Sequence, residues 1–322
     1  MPQTASQNTR TVVLYNSPGD DAAEVAAWRG YIEAYDPAID FRVWPETGPV
    51  EEIEYALAWL PKPGDLARYP RLKAIFWLGA GVDHLLKDKD LPRRVPIVRL
   101  VDDGLTAGMT EYVLLHVLRY HRRLPELETQ QRQGLWRKLS YPLAKDRRIG
   151  IMGLGVLGRD VAHRLVHLGF DVAGWSGSPK QLAGVASFHG DDQLVPFLNR
   201  SEILVCLLPL TPATTGIINA RTLAALPKAA AVINAARGGH VVDADLIAAL
   251  DRGHVAHATL DVFTSEPLPV EHPFWRHPRI TLTPHVASVT ISETASRVVI
   301  AGLRAMRDGR APANVVDLGK GY

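Results

Sequence analysis

The stretch IGIMGLGVLGRDVAHRLVHLGF, residues 149–170, constrains this chain more than any other. An apolar segment that reads as a strand runs into Gly153, Gly155 and Gly158 at G-x-G-x-x-G spacing, and then into a helix closed by Gly169. In a strand–turn–helix unit each glycine has a separate task. The first permits the tight turn, the second lets backbone approach a pyrophosphate, and the third lets helix and strand pack closely. The anion then rests on the helix N-terminus. The whole turn Gly153, Gly155, Val156, Leu157 and Gly158 is thus expected to hold a dinucleotide.

The following strand, DVAGW, should end in Asp or Glu if an unphosphorylated adenosine ribose is to be held through its hydroxyls. Ser176 stands there instead, followed by Gly177, Ser178 and Lys180. No carboxylate opposes a ribose 2'-phosphate, and Ser176, Ser178 and Lys180 could donate to one. NADP(H) is therefore favoured, with NAD(H) possible. No arginine, the better phosphate fork, lies in this turn.

A chain of 322 residues exceeds the size at which one core usually stops growing. Short apolar segments at 11–16, 41–44, 55–60, 73–78 and 95–100 alternate with turns or helices. That pattern predicts a first parallel α/β unit. Residues 109 to about 131 read as one long helix, after which the pattern restarts with six strand segments: RIGIMG, DVAGW, ILVCLL, AAVINA, HATLDV and ITLT. The expected fold is α/β, with two Rossmann-like or flavodoxin-like domains on parallel sheets, the larger a doubly wound dinucleotide-binding sheet. A last helix at about 288–308 is sent back to the first unit. The expected domains are 1–103 with 286–322, and 104–285.

With 36 Lys plus Arg against 34 Asp plus Glu, the net charge of +2 gives no large positive field for nucleic acid. RYHRR at 119–123 and AKDRR at 144–148 are read as solvated surface. The single cysteine, Cys206, cannot form an internal disulfide, which fits a reducing, cytoplasmic compartment. MPQTASQNTR lacks the pattern of a secretion signal and reads as a tail, and no apolar run is long enough for a membrane span. The histidines are scattered, without HExxH or a Cys/His cluster, so no metal is required. Asp102 and Asp103 are read as a hinge or cap.

Seven segments, the glycine turn among them, occur in a family order: WLGAGVDHL at 77–85, GMTEYVL at 108–114, GLGVLG at 153–158, LLPLTPATTGIIN at 207–219, INAARGGHVVDADLIAAL at 233–250, LDVFTSEPLP at 260–269 and TPHVAS at 283–288. With them, nearly the whole chain resembles the D-isomer-specific 2-hydroxyacid dehydrogenase family. It looks closest to the glyoxylate/hydroxypyruvate reductase A branch, which commonly carries an arginine where this chain has Gly177. The resemblance implies Arg237 as the substrate-binding arginine, Glu266 as the carboxylate partner and His285 as the proton donor. It also implies substrate carboxylate contacts from the backbone of Ala80, Gly81 and Val82, and Asp261 near the nicotinamide amide. Leu208, Pro209, Leu210 and Ala235, with Arg237 and His285, would line the cofactor cleft. A discontinuous outer domain and a homodimer through the dinucleotide-binding domain are further implications. Trp44, Trp77, Met109 and Trp136 are candidate apolar walls, with Trp44 and Trp77 favoured.

These residue types suit reduction of a 2-oxo acid to a 2-hydroxy acid. The carbonyl carbon needs a hydride, and its oxygen needs a proton as negative charge develops. A protonated His285 can give that proton, and a neighbouring carboxylate favours the protonated ring. A guanidinium can hold carboxylate and carbonyl through paired donors. Glyoxylate and hydroxypyruvate are the leading substrates. A reductase of bulky or aromatic 2-oxo acids and a non-catalytic dinucleotide-sensing partner protein are the alternatives.

Overall fold

The structure, a computed structural model, describes residues 10–321. Of the tail expected over residues 1–10, all but Arg10 lies outside the described residues. The described residues fall into two compact units, 10–105 with 290–321, and Thr106–Val289. The first carries β1 (Val12–Asn16), α1 (Ala22–Tyr35), β2 (Asp40–Val43), β3 (Tyr55–Ala58), β4 (Ala74–Trp77), α2 (Asp83–Leu86) and β5 (Ile97–Arg99). The boundary then falls inside α3 (Asp103–His121).

The second unit continues with α4 (Leu124–Arg132), β6 (Arg148–Met152), α5 (Val156–His167), β7 (Asp171–Ser176), β8 (Val185–His189), α6 (Leu194–Asn199) and β9 (Ile203–Cys206). It ends with α7 (Ala220–Ala224), β10 (Ala230–Asn234), α8 (Asp243–Asp251), β11 (Val255–Leu260) and β12 (Ile280–Leu282). The final helix, α9 (Ser292–Arg307), belongs to the first unit and packs beside α1.

In the first unit the strand order is β2-β1-β3-β4-β5, all parallel. Side chains alternate across a strand, so β1 sends Val13 and Tyr15 to one face and Val12 and Leu14 to the other. The first face meets Trp28 and Ile32 of α1 and Val299 and Leu303 of α9; the second meets Leu66, Tyr69 and Leu85. Burial on both faces is why these strands read as continuous apolar runs.

The second sheet runs β12-β11-β10-β9-β6-β7-β8, again in parallel. Ile149, Ile151, Val205 and Ile233 face Val113 and Val117 of α3 and Val161 and Leu165 of α5. Met152, Cys206, Val232 and Ala258 face Leu246 and Leu250 of α8.

Two expectations are corrected. The helix expected over 109–131 is two helices, broken where Arg123 takes a left-handed φ of 57° just before Leu124 and Pro125. A proline in a helix interior removes a hydrogen bond and clashes with the preceding turn, so the second helix begins there. The second sheet has a seventh strand, β8, absent from the six segments read from sequence. Among the described residues, no helix is long and apolar enough to cross a membrane.

Candidate active site

Three neighbouring strands of the second sheet, β10, β11 and β12, carry the three candidate catalytic residues just past their C-terminal ends. Parallel neighbours lie about 4.8 Å apart, so residues far apart in sequence emerge side by side. Arg237 follows β10, Glu266 follows β11 and His285 follows β12.

His285 Nδ1 lies 2.7 Å from Glu266 Oε2. The other carboxylate oxygen, Oε1, accepts the Phe263 N–H at 2.8 Å, so the glutamate is itself held. About a third of each side chain stays exposed, at 35% for His285 and 32% for Glu266. With Nδ1 committed to the carboxylate, Nε2 is the ring position left for a reactant.

The His285 backbone has a left-handed φ of 57°, which a residue with a Cβ adopts only when its surroundings hold it there. Asp261, 1% exposed, does so. Its carbonyl accepts the His285 N–H at 2.8 Å, Oδ1 accepts the Val286 N–H at 2.9 Å and Oδ2 accepts the Ala287 N–H at 2.8 Å. Thr283 Oγ1 donates to Oδ1 at 2.5 Å. Because Thr283 has one hydroxyl proton, Tyr112 of α3 must be the donor across the 2.7 Å between its hydroxyl and Thr283 Oγ1. Burial raises the Tyr112 pKa above the usual phenol range, which keeps that donor protonated. Asp261, expected near the nicotinamide amide, has its carboxylate hydrogen-bonded to the His285 segment.

The Arg237 segment is braced from inside. The Arg237 carbonyl accepts from Asn234 Nδ2 at 2.9 Å and lies 3.0 Å from His240 Nδ1, and both bracing residues are 0% exposed. The guanidinium is half-buried, with Nη1 2.7 Å from the Ala236 carbonyl. Gly238 lets this segment lie directly on the Phe263–Thr264 backbone, where any Cβ would overlap main-chain atoms. Sequence reasoning missed Asn234 and His240; a polar residue inside or beside an apolar strand segment was the available signal.

Further along the same sheet edge come the loops after β9, β6 and β7. Leu208 and Ala235 are buried, and Pro209 and Leu210 half-buried. The glycine turn fits a dinucleotide. Gly153 has φ 102° and Gly158 packs on the Gly153 carbonyl, so neither tolerates a side chain, whereas a Cβ on Gly155 would meet nothing within 4 Å. The α5 N-terminus has no side-chain cap and no acidic residue in its first turn. The N–H groups of Gly155, Val156 and Leu157 have no acceptor among the described residues. That is an open cradle for a pyrophosphate.

At the turn after β7, Ser176 is 8% exposed and its hydroxyl donates to the Ser178 carbonyl at 2.8 Å. Ser176, expected as a donor to a 2'-phosphate, thus spends its hydroxyl proton within the turn in this structure. Ser178 is exposed and Lys180 half-buried without an ion pair among the described residues, and Gly177 opens onto empty space.

In the first unit, Ala80, Gly81 and Val82 form the turn between β4 and α2. Their N–H groups have no acceptor among the described residues. Trp77, considered as a wall, is 1% exposed, and its indole N–H donates to the Gly81 carbonyl at 2.8 Å, so it braces this turn. Met109, expected as a possible wall, is core at 7% exposed, and Trp136 is 100% exposed. Trp44, just after β2, is half-buried, with Lys62 Nζ 5.1 Å from its ring centre.

The family model for the D-isomer specific 2-hydroxyacid dehydrogenase NAD binding domain matches residues 114–287, more than half of the chain. The chain is 46% identical over 305 residues to Glyoxylate/hydroxypyruvate reductase A of Yersinia enterocolitica, covering 93% of this chain and 97% of that protein. A D-isomer specific 2-hydroxyacid dehydrogenase from Xanthobacter autotrophicus, solved with NADPH and MES, superimposes with a TM-score of 0.93 at 43% identity, covering 97% of this chain and 100% of that one. An NADPH-dependent glyoxylate/hydroxypyruvate reductase from Sinorhizobium meliloti, solved with NADP and sulfate, gives 0.89 at 37% identity, again covering 97% and 100%. This chain therefore belongs to the D-isomer specific 2-hydroxyacid dehydrogenase family.

Proposed function

We propose that this protein reduces small 2-oxo acids, glyoxylate and hydroxypyruvate foremost, to 2-hydroxy acids with NADP(H) as the favoured cofactor. The observation that carries this reading is the 2.7 Å His285–Glu266 pair on the strand end next to that of Arg237, on the sheet edge that also holds the open glycine cradle.

Arg237 holds the substrate carboxylate and carbonyl oxygen through its donor fork, and its fixed charge favours the oxyanion that develops. His285 gives the Nε2 proton to that oxygen, and Glu266 stabilises the charged ring before the transfer. Gly155, Val156 and Leu157 receive the pyrophosphate through their N–H groups, while Ser178 and Lys180 are the donors available to a 2'-phosphate. Leu208, Pro209, Leu210 and Ala235 bound the nicotinamide side. Ala80, Gly81 and Val82 are assigned to the substrate carboxylate through their N–H groups, and Trp44 to the substrate's far side. When bound, NADPH supplies the hydride.

A matrix of NADH and NADPH against glyoxylate, hydroxypyruvate, pyruvate and phenylpyruvate, followed by nicotinamide absorbance, tests the reading. Fastest turnover of glyoxylate or hydroxypyruvate with NADPH is expected. Preference for phenylpyruvate would contradict the substrate class, and NADPH binding with no turnover would contradict the enzyme.

The same reading makes the protein a cytoplasmic homodimer joined through the second unit. Leu115 at 61% and Trp136 at 100% exposure, with Leu118, Leu124 and Leu127, support the interface as apolar side chains a monomer would leave in water. The compartment is supported by the one cysteine being a free, buried thiol. Sedimentation showing only monomer at micromolar concentration would count against the dimer.

A further inference from the structure

His189 closes the edge strand β8 in register with Ser176, the last residue of β7. Register partners on neighbouring parallel strands project to the same face, about 4.8 Å apart. The packing identifies that face. Val172 and Val185, each four residues before its strand's end, pack with Val161 and Leu165 of α5, whereas Trp175 and Phe188 pack with Phe197 of α6 on the other side. Ser176 and His189 therefore share the α5 side, at the sheet edge where α5 presents its uncapped N-terminus. The end of β7 is also where this fold holds the adenosine ribose.

His189 is half-buried, yet its ring has no hydrogen-bond or ion-pair partner among the described residues. Its backbone is fixed on three sides. The His189 N–H donates to Gln193 Oε1 at 2.8 Å, the Gly190 N–H donates to the Ser176 carbonyl at 3.2 Å, and the Trp175 indole N–H donates to the Gly190 carbonyl at 2.8 Å. An imidazole on a braced turn with its polar atoms unspent is a donor prepared for a ligand. The neighbouring turn needs one. Ser176 spends its hydroxyl on the Ser178 carbonyl, and Lys180 is the one basic side chain in residues 176–180. Asp191 and Asp192 follow His189 closely, but both are exposed, where water and salt screen their charge.

We propose that His189 donates a ring N–H to the 2'-phosphate of NADPH, beside Ser178 and Lys180, and supplies recognition that a turn without arginine otherwise lacks. The inference rests on NADP(H) as the favoured cofactor and extends that reading to a residue of β8. A ring N–H to a phosphate oxygen is a charge-assisted hydrogen bond, stronger than one between neutral groups. NADH carries only a hydroxyl at that place, so His189 separates the two cofactors at the adenosine end.

The test uses the full-length parent, His189→Ala and His189→Arg, checked for unchanged thermal unfolding. Two probes without nicotinamide are titrated calorimetrically: 2',5'-ADP, which carries the 2'-phosphate, and 5'-ADP, which lacks it. In His189→Ala, 2',5'-ADP binding should weaken about 5- to 20-fold while 5'-ADP stays within about twofold. NADPH should lose affinity by a similar factor and NADH should not. His189→Arg, which restores a donor on an open edge strand, should bind 2',5'-ADP at least as tightly as the parent. Equal losses for both probes in His189→Ala would assign the residue a purely structural part and overturn the proposal. So would 2',5'-ADP binding by His189→Ala within about twofold of the parent, or His189→Arg behaving like His189→Ala. A parent that binds both probes equally overturns the His189 assignment together with the NADP(H) preference. A parent that prefers 2',5'-ADP yet reduces no 2-oxo acid contradicts the reductase reading alone, because the His189 comparison is still read from binding.

Discussion

His285 Nδ1 and Glu266 Oε2 stand 2.7 Å apart, and the second Glu266 oxygen is tied to the Phe263 N–H at 2.8 Å. The glutamate thus orients the ring, holding Nδ1 so that Nε2 faces outward. Replacing it by glutamine keeps the shape and removes the charge. Glu266→Gln should lower kcat for glyoxylate reduction about 10- to 100-fold while leaving NADPH affinity nearly unchanged. Initial rates and NADPH titration check both, and an unchanged kcat would count against the pairing.

Gly238 lies where the Arg237 segment meets the Phe263–Thr264 backbone. A methyl group there has main chain on the other side, which cannot rotate away. Gly238→Ala should destabilise the fold by about 1–3 kcal/mol and raise the glyoxylate KM well beyond any change in NADPH affinity. Denaturant melts and initial rates separate the two effects.

Gly177 is exposed, its φ is outside the left-handed region, and an added Cβ meets nothing within 4 Å. An arginine can therefore be introduced without strain, supplying the fork this turn lacks. Gly177→Arg should tighten NADPH binding about 10-fold while leaving NADH nearly unchanged. Fluorescence titration with both cofactors is the measurement, and equal effects on the two would contradict a 2'-phosphate at this turn.

His116 is 5% exposed, and burial, with Arg119 adding repulsion, pushes its pKa down to about 4. Its unfolded value is about 6.5, so between these values the unfolded chain binds the extra proton. Stability from the neutral ring is full above about pH 6.5 and declines as pH falls toward 4, by about 2–3 kcal/mol at most. His116→Gln should flatten that decline without abolishing it, since burial also lowers the pKa of His257. Urea unfolding at several pH values reads the slope.

The glycine turn was legible because its constraint is local: Gly153 needs its φ of 102° and Gly158 its contact with the Gly153 carbonyl. Apolar runs such as ILVC in β9 announced strands buried on both faces. β8, VASFH, escaped for the opposite reason, since it is an edge strand with exposed or half-buried side chains and no apolar run to betray it. The break between α3 and α4 was signalled by Pro125, although the surrounding residues keep a helical composition. Arg237, Glu266 and His285 could be named from their motifs, but their supports could not. Tyr112 acts through a hydrogen bond to Thr283, 171 residues away, that no short window of sequence contains, and Asn234 and His240 brace the Arg237 carbonyl from three residues away through a turn that composition does not specify.

Asp261 stitches the Thr283 side chain and three successive amides to the end of β11. The ordering of the proton-donating loop is thereby completed once, during folding, and need not be repeated with each turnover. Amides 285–287, though they lie in a loop, should accordingly exchange with deuterium as slowly as those of the strands they extend.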